Sequence, residues 1–394
     1  MSKDLTLNLT GIPKELRLIL DLLNRKKQEQ AQRNRPISFT GIDWALFIEQ
    51  AKHHRVYPLL FHTLKKFDSA VIPESVQQEI HQDYQFNTFR MLYLSAEMDT
   101  VCKEFEKAGI QLLCLKGPVV AQDLYGELSL RTSNDADVLV PIKDIEKAEE
   151  LMKNMGYEKD YDFKSVLNDW KWRHRHVTYV HPQKKVKVEI HWRLHEGPAK
   201  EQSFQELWER RRQSPLGESV YILSKEDLFF FLVSHGARHG WSRLRWLIDI
   251  HQLLQQELEW DRVYSLLKKY QYLQVGGQAI LLSMELLGTT RKQQFAPFLD
   301  QKSSKKLAQE AIFYYQSMIN LHADDLPAHV DRYHRRHLFS LKSKRRKFIF
   351  ILSFLHPYPE DAEVLPLPSH LHFLYFPLRP FLWVWRKTRK PALS

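Results

Sequence analysis

Asp135 and Asp137 stand one residue apart in RTSNDADVLVP, residues 131–141, where the residues after the turn-forming TSND are otherwise apolar. Successive side chains of a strand point to opposite faces, so Ala136, Val138 and Val140 share one face and the two carboxylates share the other. Two like charges that close repel, and the repulsion strains the protein unless a cation or a proton intervenes. Two readings are open at this point: a turn in which an aspartate caps the backbone, or a pair of ligands for a cation.

A third acid lies downstream. In VKVEIHWRL, Val186, Val188, Ile190 and Trp192 alternate with Lys187, Glu189, His191 and Arg193, which places Glu189 on the polar face of a strand that packs on its other side. An Asp-x-Asp pair with a further carboxylate on a neighbouring strand is the ligand set that two-metal phosphoryl transfer needs. Magnesium takes a few carboxylates together with phosphate oxygens, and paired ions stabilise the attacking and leaving oxygens. Upstream, LLCLKGPVV is an apolar strand that ends in Lys116 and Gly117 and runs into a helix, offering a lysine and backbone N–H groups to a polyphosphate.

LKGPVVAQDLYGELSLRTSNDADVLV followed by VEIHWRL resembles the polymerase-β-like nucleotidyltransferase superfamily, and within it the bacterial branch of uncharacterised nucleotidyltransferases. On that resemblance Gly117 matches the family's glycine, Asp135 and Asp137 the metal-binding pair, and Glu189 the third carboxylate. Arg131 and His191 fall on further positions of the branch, and with Lys116, Gly117 and Ser133 they are the candidates for nucleotide contacts. The resemblance implies an α+β fold, a small mixed-sheet nucleotidyltransferase core flanked by N- and C-terminal helical regions. It implies an enzyme that uses Mg2+ or Mn2+ and moves a nucleoside monophosphate from an NTP such as ATP to an acceptor hydroxyl, releasing pyrophosphate. The acceptor stays open among a sugar, a small metabolite, a protein side chain and RNA. Pro118 departs from the pattern, standing where Ser or Gly is usual, and the gap from Gly117 to Asp135 is longer than in compact members. Pro118 supports a second class of function, a non-catalytic nucleotide- or polyanion-binding protein on the same fold.

The elements that must position these residues follow from periodicity. Apolar residues recur at three and four through KELRLILDLLNRKKQEQ, DWALFIEQAKHHRVYPLLFHTLKKF and the long segment ending at Gly109, so residues 1–109 form a helical N-terminal region. Residues 110–196 carry short apolar runs, a helix closed by Gly156, and two alternating strands around HPQKK that read as a hairpin. Residues 197–394 return to helical period, opening with Ser224 as a cap three residues before Asp227 in a helix expected to continue through WSRLRWLIDIHQLLQQ.

Other constellations carry competing readings. His235 and His239 share a helix face at a spacing that suits a metal but lack the glutamate of a metalloprotease motif, so a structural or substrate-contacting role is favoured. Arg243 and Arg245 form either a basic wall toward phosphate or, with Asp249, a solvated helix face; WKWRHRH, residues 170–176, is either a stacking surface or a strand edge. A net charge of +11 favours an anionic partner, nucleotide or RNA included, and leaves an enzyme acting on RNA as an alternative. Two cysteines and a start without an export signal point to the cytoplasm. No apolar run is long enough for a membrane span, because Pro377, Arg379 and Pro380 interrupt the best one. The aromatics of the basic C-terminal segment are expected to pack on the domain, with contact to an anionic surface as the alternative.

Overall fold

The computed structural model describes residues 5–30, 37–162, 164–321, 323 and 325–389, so residues 31–36 of the expected N-terminal helical region and 390–394 of the tail lie outside the described residues. The fold is α+β, with one mixed seven-stranded sheet between helical flanks.

The N-terminal flank holds α1 (Lys14–Gln30), α2 (Trp44–His53), α3 (Tyr57–Leu64) and α4 (Glu74–Lys107). Asp43 starts α2 by accepting from the N–H groups of Ala45 and Leu46. The helical stretch from Trp44 divides into two helices, because Arg55 takes a left-handed φ of 57° and Pro58 restarts the chain in the first turn of α3, where a missing N–H costs nothing. At the far end α4 stops beside Gly109, whose φ of 69° is open to glycine without strain.

The sheet follows. Its elements are β1 (Leu113–Lys116), α5 (Pro118–Tyr125), β2 (Asp135–Leu139), α6 (Ile145–Asn154), β3 (Glu158–Lys159), α7 (Trp170–Arg173), β4 (His176–His181), β5 (Val186–His191), α8 (Phe204–Glu209), β6 (Arg212–Gln213) and β7 (Tyr221–Ile222). The spatial order is β3-β4-β5-β2-β1-β7-β6. β2 lies centrally, antiparallel to β1 and parallel to β5, while β4 and β5 form the expected hairpin. The core read as residues 110–196 therefore takes on two more strands, β7 pairing with β1 through Ile222 and Cys114.

Beyond the sheet, Ser224 caps α9 (Lys225–Arg238) by accepting from Asp227 N–H. The helix expected to continue breaks at Gly240 and Trp241, with φ of 61° and 59°, and resumes as α10 (Leu244–Leu253). Then come α11 (Trp260–Lys269), α12 (Leu273–Leu287), α13 (Ala296–Leu299), α14 (Ser304–Ala311), α15 (Phe313–Gln316), α16 (Ala328–Ser340), α17 (Lys344–Ser353), α18 (Pro359–Val364) and α19 (Tyr375–Arg389). One apolar cluster runs from Leu7 through both faces of the sheet to Leu341, so helical flanks and sheet share a core.

The C-terminal aromatics depart from expectation. Tyr375 and Leu382 pack on Val166 in a small separate cluster, but Phe348, Phe373, Phe381, Trp383 and Trp385 stay exposed instead of packing on the domain. Among the described residues no helix is long and apolar enough to cross a membrane. Cys102 and Cys114 are buried free thiols.

Candidate active site

Parallel pairing of β2 with β5 sets Asp137 opposite Glu189, and antiparallel pairing with β1 sets Lys116 on the other side of Asp137. Alternation brings Asp135, Asp137 and Glu189 to one face, where each offers an oxygen within 4.8 Å of the others. Asp137 is wholly buried, while Asp135 and Glu189 are half-buried.

The repulsion expected among these acids is met by cations. Lys116 Nζ lies 2.7 Å from Asp137 Oδ1. His191 Nε2 lies 3.1 Å from the same oxygen and 3.2 Å from Glu189 Oε2. Burial works against the charge on Lys116 and on His191, yet the surrounding carboxylates outweigh it and raise both pKa values above their ordinary ranges. Burial likewise opposes ionisation of Glu189, but the hydrogen bond from His191 and the charge of Lys116 hold its carboxyl below the usual range. Asp137 Oδ2 is buried and has no hydrogen-bond partner. His176 stands against His191 with ring centroids 4.8 Å apart and Nε2 3.7 Å from Glu189; burial pushes its pKa down to about 4. It forms a second group with metal-ligand spacing together with Glu189 and His191.

The loop before α5 is built around Gly117. Its φ is 87°, and a Cβ there would lie 3.0 Å from the carbonyl oxygen of Asp135, so the backbone of the acid strand leaves room for glycine alone. Pro118 fits as the first helical residue of α5, whose N-terminus has no side-chain cap. Ser133 donates to the Asp135 carbonyl at 3.1 Å and to its Oδ1 at 3.3 Å, which orients that carboxylate.

Arg131, expected among the nucleotide contacts, has its donors used within the protein. Its Nε and Nη2 bind the two oxygens of Asp249, each at 2.9 Å, and Nη1 donates to the Gly117 carbonyl at 3.3 Å. Asp249 is fully buried and also accepts from Tyr125 Oη at 2.8 Å, so the solvated helix face envisaged for it is not what forms. Arg131 thus ties the glycine loop to α10.

Three further arginines surround Asp135 and feel its charge: Arg55, Arg243 and Arg245. Burial and their mutual repulsion push Arg55 and Arg243 down to about 10 and Arg245 to about 9. Arg243 and Arg245 stood out in the sequence; Arg55 did not, because its only mark is the short basic run HHR between two helices. His235 and His239 pack on each other and on Trp246, and among the described residues neither joins a group with metal-ligand spacing. In WKWRHRH, residues 170–173 form α7, with Trp170 packed edge-on against Trp192 and Arg173 bound to Asp169, and His176 opens β4, which is paired on both sides and is not an open strand edge.

The family model described as uncharacterised nucleotidyltransferase matches residues 40–288, a span that contains every residue of this site. No curated protein and no solved structure matches the chain. The glycine loop, the acids and the arginines that face them all fall within the matched segment, and the chain belongs to the family of uncharacterised nucleotidyltransferases.

Proposed function

We propose that the protein is a metal-dependent nucleotidyltransferase that moves a nucleoside monophosphate from an NTP to an acceptor hydroxyl and releases pyrophosphate. One observation carries this reading: three converging carboxylates, with an unpartnered buried oxygen on Asp137, face a trio of mutually repelling arginines. The donor set fits magnesium or manganese, since it is all oxygen and holds an acceptor not already used by the protein. Asp135, Asp137 through Oδ2, and Glu189 would hold the ion, which when bound neutralises developing charge and lowers the pKa of the attacking hydroxyl.

The chain's own groups do the rest by placement and charge. Arg55, Arg243 and Arg245 supply the positive wall for the triphosphate, whose charge relieves their repulsion. Gly117 lets α5 begin close to Asp135, and Arg131 with Asp249 keeps that loop in place. Ser133 fixes Asp135, and His191 holds Asp137 and Glu189 in a common orientation. Lys116 neutralises the acids before the substrate arrives and then lies within reach of phosphate oxygens.

Incubating the full chain with magnesium and each of the four triphosphates, with pyrophosphate release and mass spectrometry of any modified product, tests the reading. Release that requires both metal and Asp137 supports it; metal-independent hydrolysis would sink it. A second reading, nucleotide binding without turnover, is favoured by the contact of Lys116 with Asp137. Calorimetry separates the two, since that reading requires triphosphate binding that persists when pyrophosphate release is nil.

A further inference from the structure

We infer that the cavity enclosed by α9, α12, α16 and α17 binds a molecule with an apolar body and an acidic head, a carboxylate or a phosphate. The cavity measures about 600 Å³, within the range of small-molecule sites. Val275 of α12, Leu338 and Phe339 of α16, and Ile349 and Phe350 of α17 give it apolar walls. Its polar groups are mainly cationic; Arg173 and Arg335 are paired with Asp169 and Asp331, whereas Arg346 and Arg238 keep donors that no protein group accepts. Arg346 donates from Nη2 to Tyr272 Oη at 2.7 Å, but its Nε and Nη1 are buried without a partner. Arg238 has a buried Nε in the same condition.

Arg238, Lys342 and Arg346 bring positive charge to a lining that holds a single acid, so the cavity is matched to an anion. The one acid in the lining, Glu196, is directed to Arg175 at 3.2 Å and lies 3.7 Å from Arg238, which leaves Arg346 uncompensated. Lys342 adds to the positive end, and burial beside Arg346 pulls its pKa down to about 8.

The cavity is linked to the carboxylate face through side chains that lie between them. A chain of polar contacts runs from Glu189 to His176 at 3.7 Å, from His176 Nδ1 to Arg175 Nε at 3.1 Å, and from Arg175 through Glu196 to Arg238. On the transferase reading, on which this assignment of role rests, the occupant is the acceptor, held by its acid at Arg346. Walls from α9 and α12 lie inside the family-matched segment, whereas α16 and α17 lie beyond it, so the cover that selects the occupant is contributed by this chain's C-terminal region.

The test is calorimetric titration of the full chain, without metal or nucleotide, with dodecanoate, dodecyl phosphate and dodecanol below their aggregation concentrations. One site per chain is expected, with at least one acid binding tenfold or more tighter than the alcohol; the tighter acid identifies the head group. Arg346→Met should weaken acid binding at least tenfold and leave the alcohol within twofold, Arg238→Met should act in the same direction, and Ile349→Trp should abolish binding by filling the cavity. Thermal melts confirm that each variant folds. Equal affinity for acid and alcohol, acid binding untouched by both arginine substitutions, or binding that survives Ile349→Trp on the exposed C-terminal aromatics overturns the proposal. Asp137→Asn should bind the acid as the wild type does, so loss of turnover with intact acid binding bears on the transferase reading alone.

Discussion

The pair of Arg131 with Asp249 and the acid face of β2 and β5 are both deeply buried, yet they balance charge in different ways. In the first, one guanidinium meets one carboxylate edge to edge, Tyr125 takes up the remaining acceptor, and no oxygen is left over. In the second, one ammonium and one imidazole contact Asp137 and Glu189, and Asp137 Oδ2 has no partner. Full pairing fixes a loop in one geometry; incomplete pairing of the same group types leaves coordinating capacity for something that arrives later.

The largest effect should come from breaking the complete pair. Arg131→Met leaves Asp249 buried without its guanidinium partner and should cost about 3–5 kcal/mol in denaturant unfolding. Adding Asp249→Leu to that variant should recover most of the loss, and a double variant no more stable than the single one would remove the argument.

Breaking the incomplete cluster should cost activity and spare the fold. Asp137→Asn keeps the shape while removing a charged ligand, so magnesium-dependent turnover should fall at least about a hundredfold, roughly 3 kcal/mol of transition-state stabilisation. Stability without metal should fall by about 1–2 kcal/mol, since the amide no longer offsets the charges of Lys116 and His191; retained turnover would end the assignment of Asp137 to the metal.

Smaller still is the effect of Lys116→Met, which removes the resident cation from the acids. Stability without metal should fall by about 1–2 kcal/mol, and the melting shift given by millimolar magnesium should grow beyond that of the wild type. An unchanged shift would mean that ammonium and metal do not share these carboxylates.

His195 offers a third setting, in which charge is avoided. It is buried, and its pKa is pushed down to about 3 by that burial and by Arg346 and Arg193. A histidine with a depressed folded pKa contributes stability that is complete above its unfolded value near 6.5 and is lost as pH falls from there toward the folded value. Unfolding midpoints should therefore decline below pH 6.5, and His195→Gln should flatten that decline.

Much of the acid face was readable because strand alternation is a strict rule. Asp135, Asp137 and Glu189 had to point off the polar sides of their strands, whatever the sheet. Register was not readable: nothing near Asp137 says that Glu189 will stand opposite it, since parallel partners share no turn. Arg131 was read as a ligand contact because it falls on a position of the resembled branch, and its partner Asp249, 118 residues away, gave no sign of the pairing. The break at Arg55 escaped notice because a non-glycine residue carries the left-handed φ, against its local preference, and at Gly240 a single glycine inside an apolar run was not read as a stop. Strands β3, β6 and β7 have two residues each, too few to show a period.

The same parallel register bears on how the molecule assembles. Asp137 and Glu189 become neighbours only when the chain closes the long connection between β2 and β5, and the entropy of that closure is lost before the pairing repays it. While the hairpin of β4 and β5 and the antiparallel pair of β1 and β2 are separate, Glu189 is still apart from the two aspartates, and electrostatics favours forming the latter pair early because it delivers Lys116 to Asp137. Docking these two pieces brings the carboxylates together last, against their repulsion. A divalent ion in the refolding buffer therefore acts on the rate of that final step as well as on the finished fold.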